Sequence, residues 1–328
     1  MPRRPDRGDK VTGFVLRRLL QSVVVVLGVT VAVFLLEHAI PGSLARAVLG
    51  TRASPAAIAA FDRTNGLDRS LPGQYLTFLD HLVHGDLGYS YRLNESVDAL
   101  IAHELPNDAV LIGASLALAV ALAIPIGILQ AVRRNHAIDH AATGILLALY
   151  SMPSYWLGLV LIAWFSIHWH LLPAEAPQAW TLTGILADPR ALVLPVATLT
   201  LVNVALFSRY MRASAIATLA EDFVRTARAK GLSPRLVLER HVLRNSLLSI
   251  VTLIGLSIPG ILTAGLVVEN VFNFPGIGLS YFYAATSSDY PVELGITALV
   301  AIATVVGNLV ADIGYAVLDP RVRVRSER

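Results

Sequence analysis

Few residues of this chain could do chemistry. One group consists of polar side chains set inside long apolar runs: Asn203, Asn308 and Asp312. An amide or carboxylate within a membrane span is costly, so it marks a transport path or a relay by default. Asp312, close to an arginine-rich C-terminus, is placed to pair with an arginine or to pass a proton. Pro259-Gly260 and Pro153 are hinge or packing-kink candidates. His168 and His170 flank Trp169; a metal site there would need further ligands, and anchoring at a membrane boundary accounts for all three. The second group is a basic stretch, Ala220 to Val251, lying between two apolar runs. Nucleotide hydrolysis has no machinery here: no GxxxxGK[ST] loop exists, and the lysines are Lys10 and Lys230 alone. HExxH and GxSxG are absent too, so no catalytic, cofactor or metal residue is expected.

The basic stretch is patterned as two helices joined at a glycine. Glu221 and Asp222 open the first and Arg225, Arg228 and Lys230 close it, the polarity a helix dipole favours. Ala220, Phe223 and Ala227 share a narrow apolar face. Gly231 stands where a glycine ends a helix, and Ser233-Pro234 caps and starts the next. Such an element is shaped for docking, either to a partner's groove or to anionic lipid.

Everything around it is membrane-like. Of 328 residues 55% are hydrophobic and 15% charged, against about 25% charged in soluble domains; the mean hydropathy is +0.62. The pI of about 9.3 does not imply nucleic acid, because the net charge is +3 and the basic residues cluster at the ends of apolar runs. Without cysteine, disulfides and thiolate sites are ruled out. The first apolar run is long and lacks a small-residue cleavage site after it, which predicts an uncleaved span.

The expected architecture is all-α and polytopic, with six spans: Phe14 to Ile40, Val110 to Val132, Ala141 to Trp169, Leu194 to Met211, Leu247 to Val268 and Leu294 to Leu318. All basic residues except Arg46, Arg52, Arg63, Arg69, Arg92 and Arg190 then face one side, which the positive-inside rule makes cytoplasmic, both termini included. The organisation is 1–40, tail and first span; 41–107, an extracytoplasmic segment with short helices starting at Ser54-Pro55 and within Gln74 to Val83; 108–318, the remaining spans with the basic loop at 219–246; and 319–328, a tail. Residues 170–195 and 269–293 are external, the latter with a turn at Asn273 to Gly278.

Several stretches resemble permeases of the ATP-binding-cassette importers, in particular the dipeptide and oligopeptide group. That superfamily's cytoplasmic loop runs E-A-A, three residues, G, nine residues, I-x-L-P. Gly231 and Leu243 match it, while Arg225-Thr226-Ala227, His241 and Arg244 depart from it. RTARAKGL at 225–232 and RHVLRNSLL at 240–248 are similar to the peptide-permease version. So are GFVLRRLLQ (13–21), GLDRSLPGQYLTFLDHLVHGDLGYS (66–90), SMPSYWLGLVLIAWF (151–165), VENVFNFPGIGLSYF (268–282) and ADIGYAVLDPRVR (311–323).

The resemblance implies the type I importer permease fold in a bacterial plasma (inner) membrane. It implies a second homologous permease sharing the path, cytoplasmic ATP-binding subunits (separate or fused) and an extracytoplasmic solute-binding protein that delivers peptide. Phe223, Arg225, Ala227, Arg228, Ala229, Lys230, Gly231 and Leu232 would form the coupling helix and its turn. Asn203, Pro259, Gly260 and Asn308 are candidates for the path or its hinges. Nickel, glutathione or sugar-derived cargo fits the same permease type. A carrier or channel driven by an ion gradient is the alternative from another class, and the lack of a ladder of intramembrane acids speaks against it.

Overall fold

The computed structural model describes residues 7–39, 44–50, 52–179 and 181–318. The chain divides into two compact units, one of Met1–Leu105 with Ser280–Leu309, the other of Pro106–Leu279 with Val310–Arg328.

In the first unit, α1 (Arg7–Ala39) carries Arg7, Lys10, Arg17 and Arg18 on the same helix as the apolar run; the basic segment expected as a separate tail is therefore largely helical. α2 (Leu44–Leu49) and α3 (Pro55–Thr64) follow. The Ser54 hydroxyl caps α3 by accepting from Ala57 N at 3.2 Å, with Pro55 in the first turn, as the Ser-Pro pair predicts. α4 (Leu71–Val83) lies against α1. Tyr75 and Thr30 share a hydroxyl–hydroxyl bond of 2.9 Å, and the Tyr75 ring centre is 5.4 Å from that of Phe34.

The all-α expectation needs one correction. β1 (Tyr89–Ser90) and β2 (Glu95–Ser96) pair antiparallel in a small hairpin. Gly88 (φ 97) and Asn94 (φ 57) supply its left-handed turns. Contacts far along the chain hold it: Ser90 Oγ donates to Asp289 Oδ2 at 2.5 Å, and Arg92 Nη1 donates to Ser287 O at 2.6 Å. α5 (Val97–Val132) begins directly after, so residues 97–107, expected in the external segment, are its first turns.

In the second unit, α5 is followed by α6 (Ala137–Ser151) and α7 (Ser154–Leu161), which continues as a π-helical stretch to His168. Met152, ahead of Pro153, is extended (φ −78, ψ 130), because the proline ring excludes the helical conformation from the residue before it. The two arms bend by 104° there, so the third expected span is broken at the expected proline. α8 (Leu182–Ala187) and α9 (Pro189–Leu219) come next; α9 extends well beyond Met211. After α10 (Asp222–Ala229) and α11 (Pro234–Val237), a π-helical turn at Leu238–Leu243 leads into α12 (Arg244–Phe272). α13 (Ile277–Ser287) lies in the segment 269–293, after the turn expected at Asn273 to Gly278; from Ser280 to Leu309 the chain, including most of α13 and of α14 (Tyr290–Leu318), belongs to the first unit.

Two of the buried clusters in the core of this unit lie along its long helices. Leu111, Leu194, Leu199, Val268, Phe272 and Phe274 make one; Ala119, Ala123, Leu146, Val204, Ala205 and Phe207 make the other. Small residues on α5 let α9 approach closely. A Cβ on Gly127 would stand 2.6 Å from Met211 Cβ and 2.9 Å from Arg212 N, so only glycine fits that crossing. Among the described residues, Val97–Val132, Pro189–Leu219 and Tyr290–Asn308 are long and apolar enough to cross a membrane, and the bent α6–α7 pair would make a fourth.

Candidate functional site

The basic loop folds as its pattern predicts. Glu221 and Asp222 start α10, and its end is a complete Schellman motif. Gly231 N donates to Arg228 O at 2.9 Å, and Leu232 N donates to Ala227 O at 3.3 Å. Gly231 holds φ +80 to allow this. Ser233 Oγ then accepts from Leu236 N at 3.4 Å, with Pro234 opening α11.

The apolar face differs from the expected one. Val224 (0% exposed) and Ala227 (5%) turn inward, onto Ala131 of α5, Ala215 of α9, and Val237 and Val242. Leu232 packs on the same cluster, the apolar contact that accompanies a Schellman motif. Phe223 points out, 41% exposed. Thus Ala227 is spent on this chain's own core, and the outer surface consists of Phe223, Arg225, Arg228, Ala229 and Lys230. The face slipped because Phe223 and Val224 are adjacent apolar positions, and only packing decides which is buried. Burying the Val224 side chain stabilises the element by about 1.5–3 kcal/mol. On the next turns, Arg235 Nε donates to Glu239 at 2.8 Å, and that carboxylate pushes the guanidinium up from its ordinary value.

The second anchor of this region was not foreseen. The side chain of Asp139, in the first turn of α6, is 2% exposed and pairs with Arg212 of α9; it also accepts from Asn135 N at 3.0 Å. Residues this far apart in sequence give no pairing signal. Ser246 at the start of α12 donates to Thr218 at 3.3 Å. The candidate loop is therefore fixed on the ends of α5 and α9, and α9 is in turn tied to α6 and α12.

The path candidates are not gathered into one site. Asn203 is buried, and its Nδ2 donates to Leu199 O one turn back on α9 at 2.8 Å; it serves its own helix. Asn308 is half-buried on α14. Pro259 and Gly260 fall within α12, and their side-chain surroundings lie outside the described residues, as does the side chain of Asp312. His170 adopts φ 52, and the His168 ring lies against Trp164 and Trp169.

The turn Asn273 to Gly278 has the defined shape that its glycines and proline suggest. Asn273 ends α12 at φ 49. Asp108 Oδ2 accepts from Ile277 N at 3.3 Å, Glu269 Oε2 accepts from Leu279 N at 2.9 Å, and Asn107 Nδ2 donates to Pro275 O at 2.7 Å. These carboxylates satisfy the amides that open α13, where a helix N-terminus favours negative charge.

Residues 123–324 match the family described as the binding-protein-dependent transport system inner membrane component, and residues 11–112 match that family's N-terminal region. The chain is 36% identical to the oligopeptide transport system permease protein AppB of Bacillus subtilis over 314 residues, 95% of this chain and 99% of the relative. It is 34% identical to the dipeptide transport system permease protein DppB of Escherichia coli K12 over 333 residues, 94% and 98% of the two chains. It is 35% identical to the glutathione transport system permease protein GsiC of Pectobacterium atrosepticum over 312 residues, 95% and 99%. A match over most of the chain, on a helical protein with several membrane-length spans, shows that this chain belongs to the inner-membrane permeases of binding-protein-dependent ABC importers, in the dipeptide and oligopeptide group.

Proposed function

We propose that the chain is the permease subunit of an ATP-driven peptide importer, forming the path with a second, homologous permease and taking its drive from cytoplasmic ATP-binding subunits. Cargo arrives from an extracytoplasmic solute-binding protein. The proposed topology has six transmembrane helices with both termini cytoplasmic, the bent α6–α7 pair being one span. Its organisation is 1–40, 41–107, 108–318 with the coupling loop at 219–246, and 319–328.

The observation that carries the coupling role is the build of α10. Val224 and Ala227 bolt it to this chain, a Schellman turn at Gly231 stops it, and Phe223 with Arg225, Arg228 and Lys230 remains outside. A helix fixed on its inner face passes force from an outer partner into α5 and α9. Phe223 would enter an apolar groove of the ATPase, and the basic side chains would meet an acidic rim. Peptide cargo is supported by the names of the oligopeptide and dipeptide relatives.

The test is purification of the tagged chain in mild detergent. Co-purification of a second permease and ATP-binding subunits, with vanadate-sensitive hydrolysis stimulated by loaded binding protein, is the expected result. Recovery of the chain alone, with uptake that follows an ion gradient, would replace this reading by a gradient-driven carrier. Competition of peptide uptake by glutathione separates the two cargo classes.

A further inference from the structure

The first unit holds a cleft of about 880 Å³ that the coupling role leaves unused. That volume is within the range of about 300–1,000 Å³ common for small-molecule sites. Its walls come from the outer end of α1, from α3, α4 and the β1–β2 hairpin, and from the start of α14. In the topology proposed above, these parts lie on the extracytoplasmic side.

The charges on this wall fall into two kinds. Asp86 is spent within the fold: it accepts from Gly88 N at 2.9 Å and meets His81 Nδ1 at 2.7 Å. Asp62 and Arg69 are not. Asp62, in the last turn of α3, is partly buried, and among the described residues its carboxylate has neither an ion pair nor a hydrogen bond. A carboxylate drawn partly out of water with no partner in the protein carries a desolvation cost that a bound cation would offset. Arg69 donates from Nη1 to Thr77 Oγ1 at 3.3 Å and likewise pairs with no carboxylate among the described residues. It lies over Gly66, where an added Cβ would stand 3.4 Å from Nε. The guanidinium is thus positioned, with most of its five N–H donors left for a planar two-point acceptor. The chain turns between the two opposite charges, with Gly66 at φ 67 and Leu67 N donating to Asp62 O at 2.8 Å.

Much of the remaining wall is aromatic: Phe34, Phe78, Tyr89, Tyr91 and Tyr290. The Tyr91 hydroxyl is held on Asn65 Oδ1, and its ring centre lies 5.3 Å from that of Phe61 and 5.5 Å from that of Tyr89. A molecule that matches this wall carries a cation and an anion at separate points, with apolar bulk beside them.

We propose that the cleft binds a short peptide with free ends. Arg69 takes its carboxylate through two parallel hydrogen bonds, Asp62 takes its ammonium, and its side chains lie on the aromatic wall. This rests on the peptide-permease reading and deepens it: the permease itself holds cargo on the outer side, besides the binding protein that delivers it.

The experiment uses the purified permease–ATPase complex in nanodiscs without its binding protein. Equilibrium dialysis measures a labelled dipeptide with an aromatic side chain, its C-terminal amide and its N-acetyl form. The native complex is expected to bind the free dipeptide saturably and each blocked form at least tenfold more weakly. Arg69→Gln should weaken the free dipeptide at least tenfold and leave the amide unchanged. Asp62→Asn should make the free and N-acetyl forms bind alike. No saturable binding by the native complex overturns the proposal, as does binding that both variants leave unchanged or weaken equally for all three peptides. Loss of affinity for the binding protein in the variants, with no peptide bound by the native complex, also overturns it and makes the cleft a docking surface for that protein. Peptide uptake by the complete system is measured alongside. Uptake without binding at the cleft removes this site and keeps the peptide reading, whereas absence of both removes both.

Discussion

Arg212 grips Asp139 with two hydrogen bonds, Nε to Oδ1 at 2.7 Å and Nη2 to Oδ2 at 2.8 Å, tying the C-terminal part of α9 to the first turn of α6. Arg212 also lies at the close α5–α9 crossing made by Gly127, so one pair fixes three helices. Removing one partner of a buried pair strands the other charge. Asp139→Asn is expected to cost about 3 kcal/mol, the low end for such pairs because Arg212 keeps some contact with water. Thermal unfolding in detergent checks this. The reversed pair, Asp139→Arg with Arg212→Asp, should recover part of the loss, and no recovery would show that packing rather than pairing holds the crossing.

Gly231 has φ +80 and nothing within 4 Å of where a Cβ would stand. Its requirement is conformational and not steric, so Gly231→Asn, which tolerates the left-handed region, should transport nearly as well as the native chain. Gly231→Val should insert normally and uncouple hydrolysis from transport. Peptide moved per ATP hydrolysed is the measurement, and equal coupling in all three proteins would remove the turn from the mechanism.

Phe223 and Val224 are neighbours with opposite duties. Val224→Asp buries a charge in the Ala131–Ala215 cluster and should detach α10, lowering both thermal stability and ATPase association. Phe223→Ala should leave stability within about 0.5 kcal/mol, as surface changes do, while weakening co-purification of the ATP-binding subunits. If Phe223→Ala purifies with its full complement, the exposed ring is not the anchor.

Gly276 and Gly278 stand inside the carboxylate clasp. A Cβ on Gly276 would meet Asp108 Oδ1 and come 2.6 Å from Glu269 Oε2, and one on Gly278 would come 2.5 Å from Leu266 Cα. Gly278→Ala, which meets backbone, should be the worse of the two in folded yield measured by size-exclusion chromatography. Equal yields would mean that the clasp opens readily.

Asp289 gives a pH dependence whose sign is opposite to that of a salt-bridged carboxylate. Burial pushes its pKa up from the usual value, partly countered by the Ser90 hydroxyl. The folded state therefore takes up this proton at higher pH than the unfolded chain. The charged form destabilises the fold at neutral pH, and this penalty is relieved as pH falls toward the ordinary carboxylate range near 4. Asp289→Asn should raise the melting temperature at pH 7 and flatten its rise as pH falls toward the ordinary carboxylate range. A flat native profile would rule this out.

Much of the fold was legible because its signals are local. Ser54-Pro55, Ser233-Pro234, Gly231 and Pro153 each act on their own backbone through a missing N–H, a hydroxyl acceptor or a tolerated positive φ. They start or stop helices where the sequence alone places those events. Apolar run length and charge asymmetry likewise announce a membrane protein without any contact being known.

What the tertiary structure decided is which face of each helix is satisfied and by what. Phe223 and Val224 are equally apolar to a periodicity argument, and only the structure shows that the Asn203 amide is bonded to Leu199 O. Arg209 and Arg212 read alike as basic residues at a span's end, yet one finds Asp139 and the other finds Tyr150. Their partners lie on α6, and no local signal encodes which of two arginines will face a carboxylate once α6 and α9 have packed. The sequence by itself determined the helical, membrane-type character of the chain and the helix starts and stops made by Ser54-Pro55, Pro153, Gly231 and Ser233-Pro234, since those are properties of a residue and its neighbours. Packing decided which polar groups are spent inside the fold and which remain to meet a partner or cargo, since that depends on segments far apart along the chain.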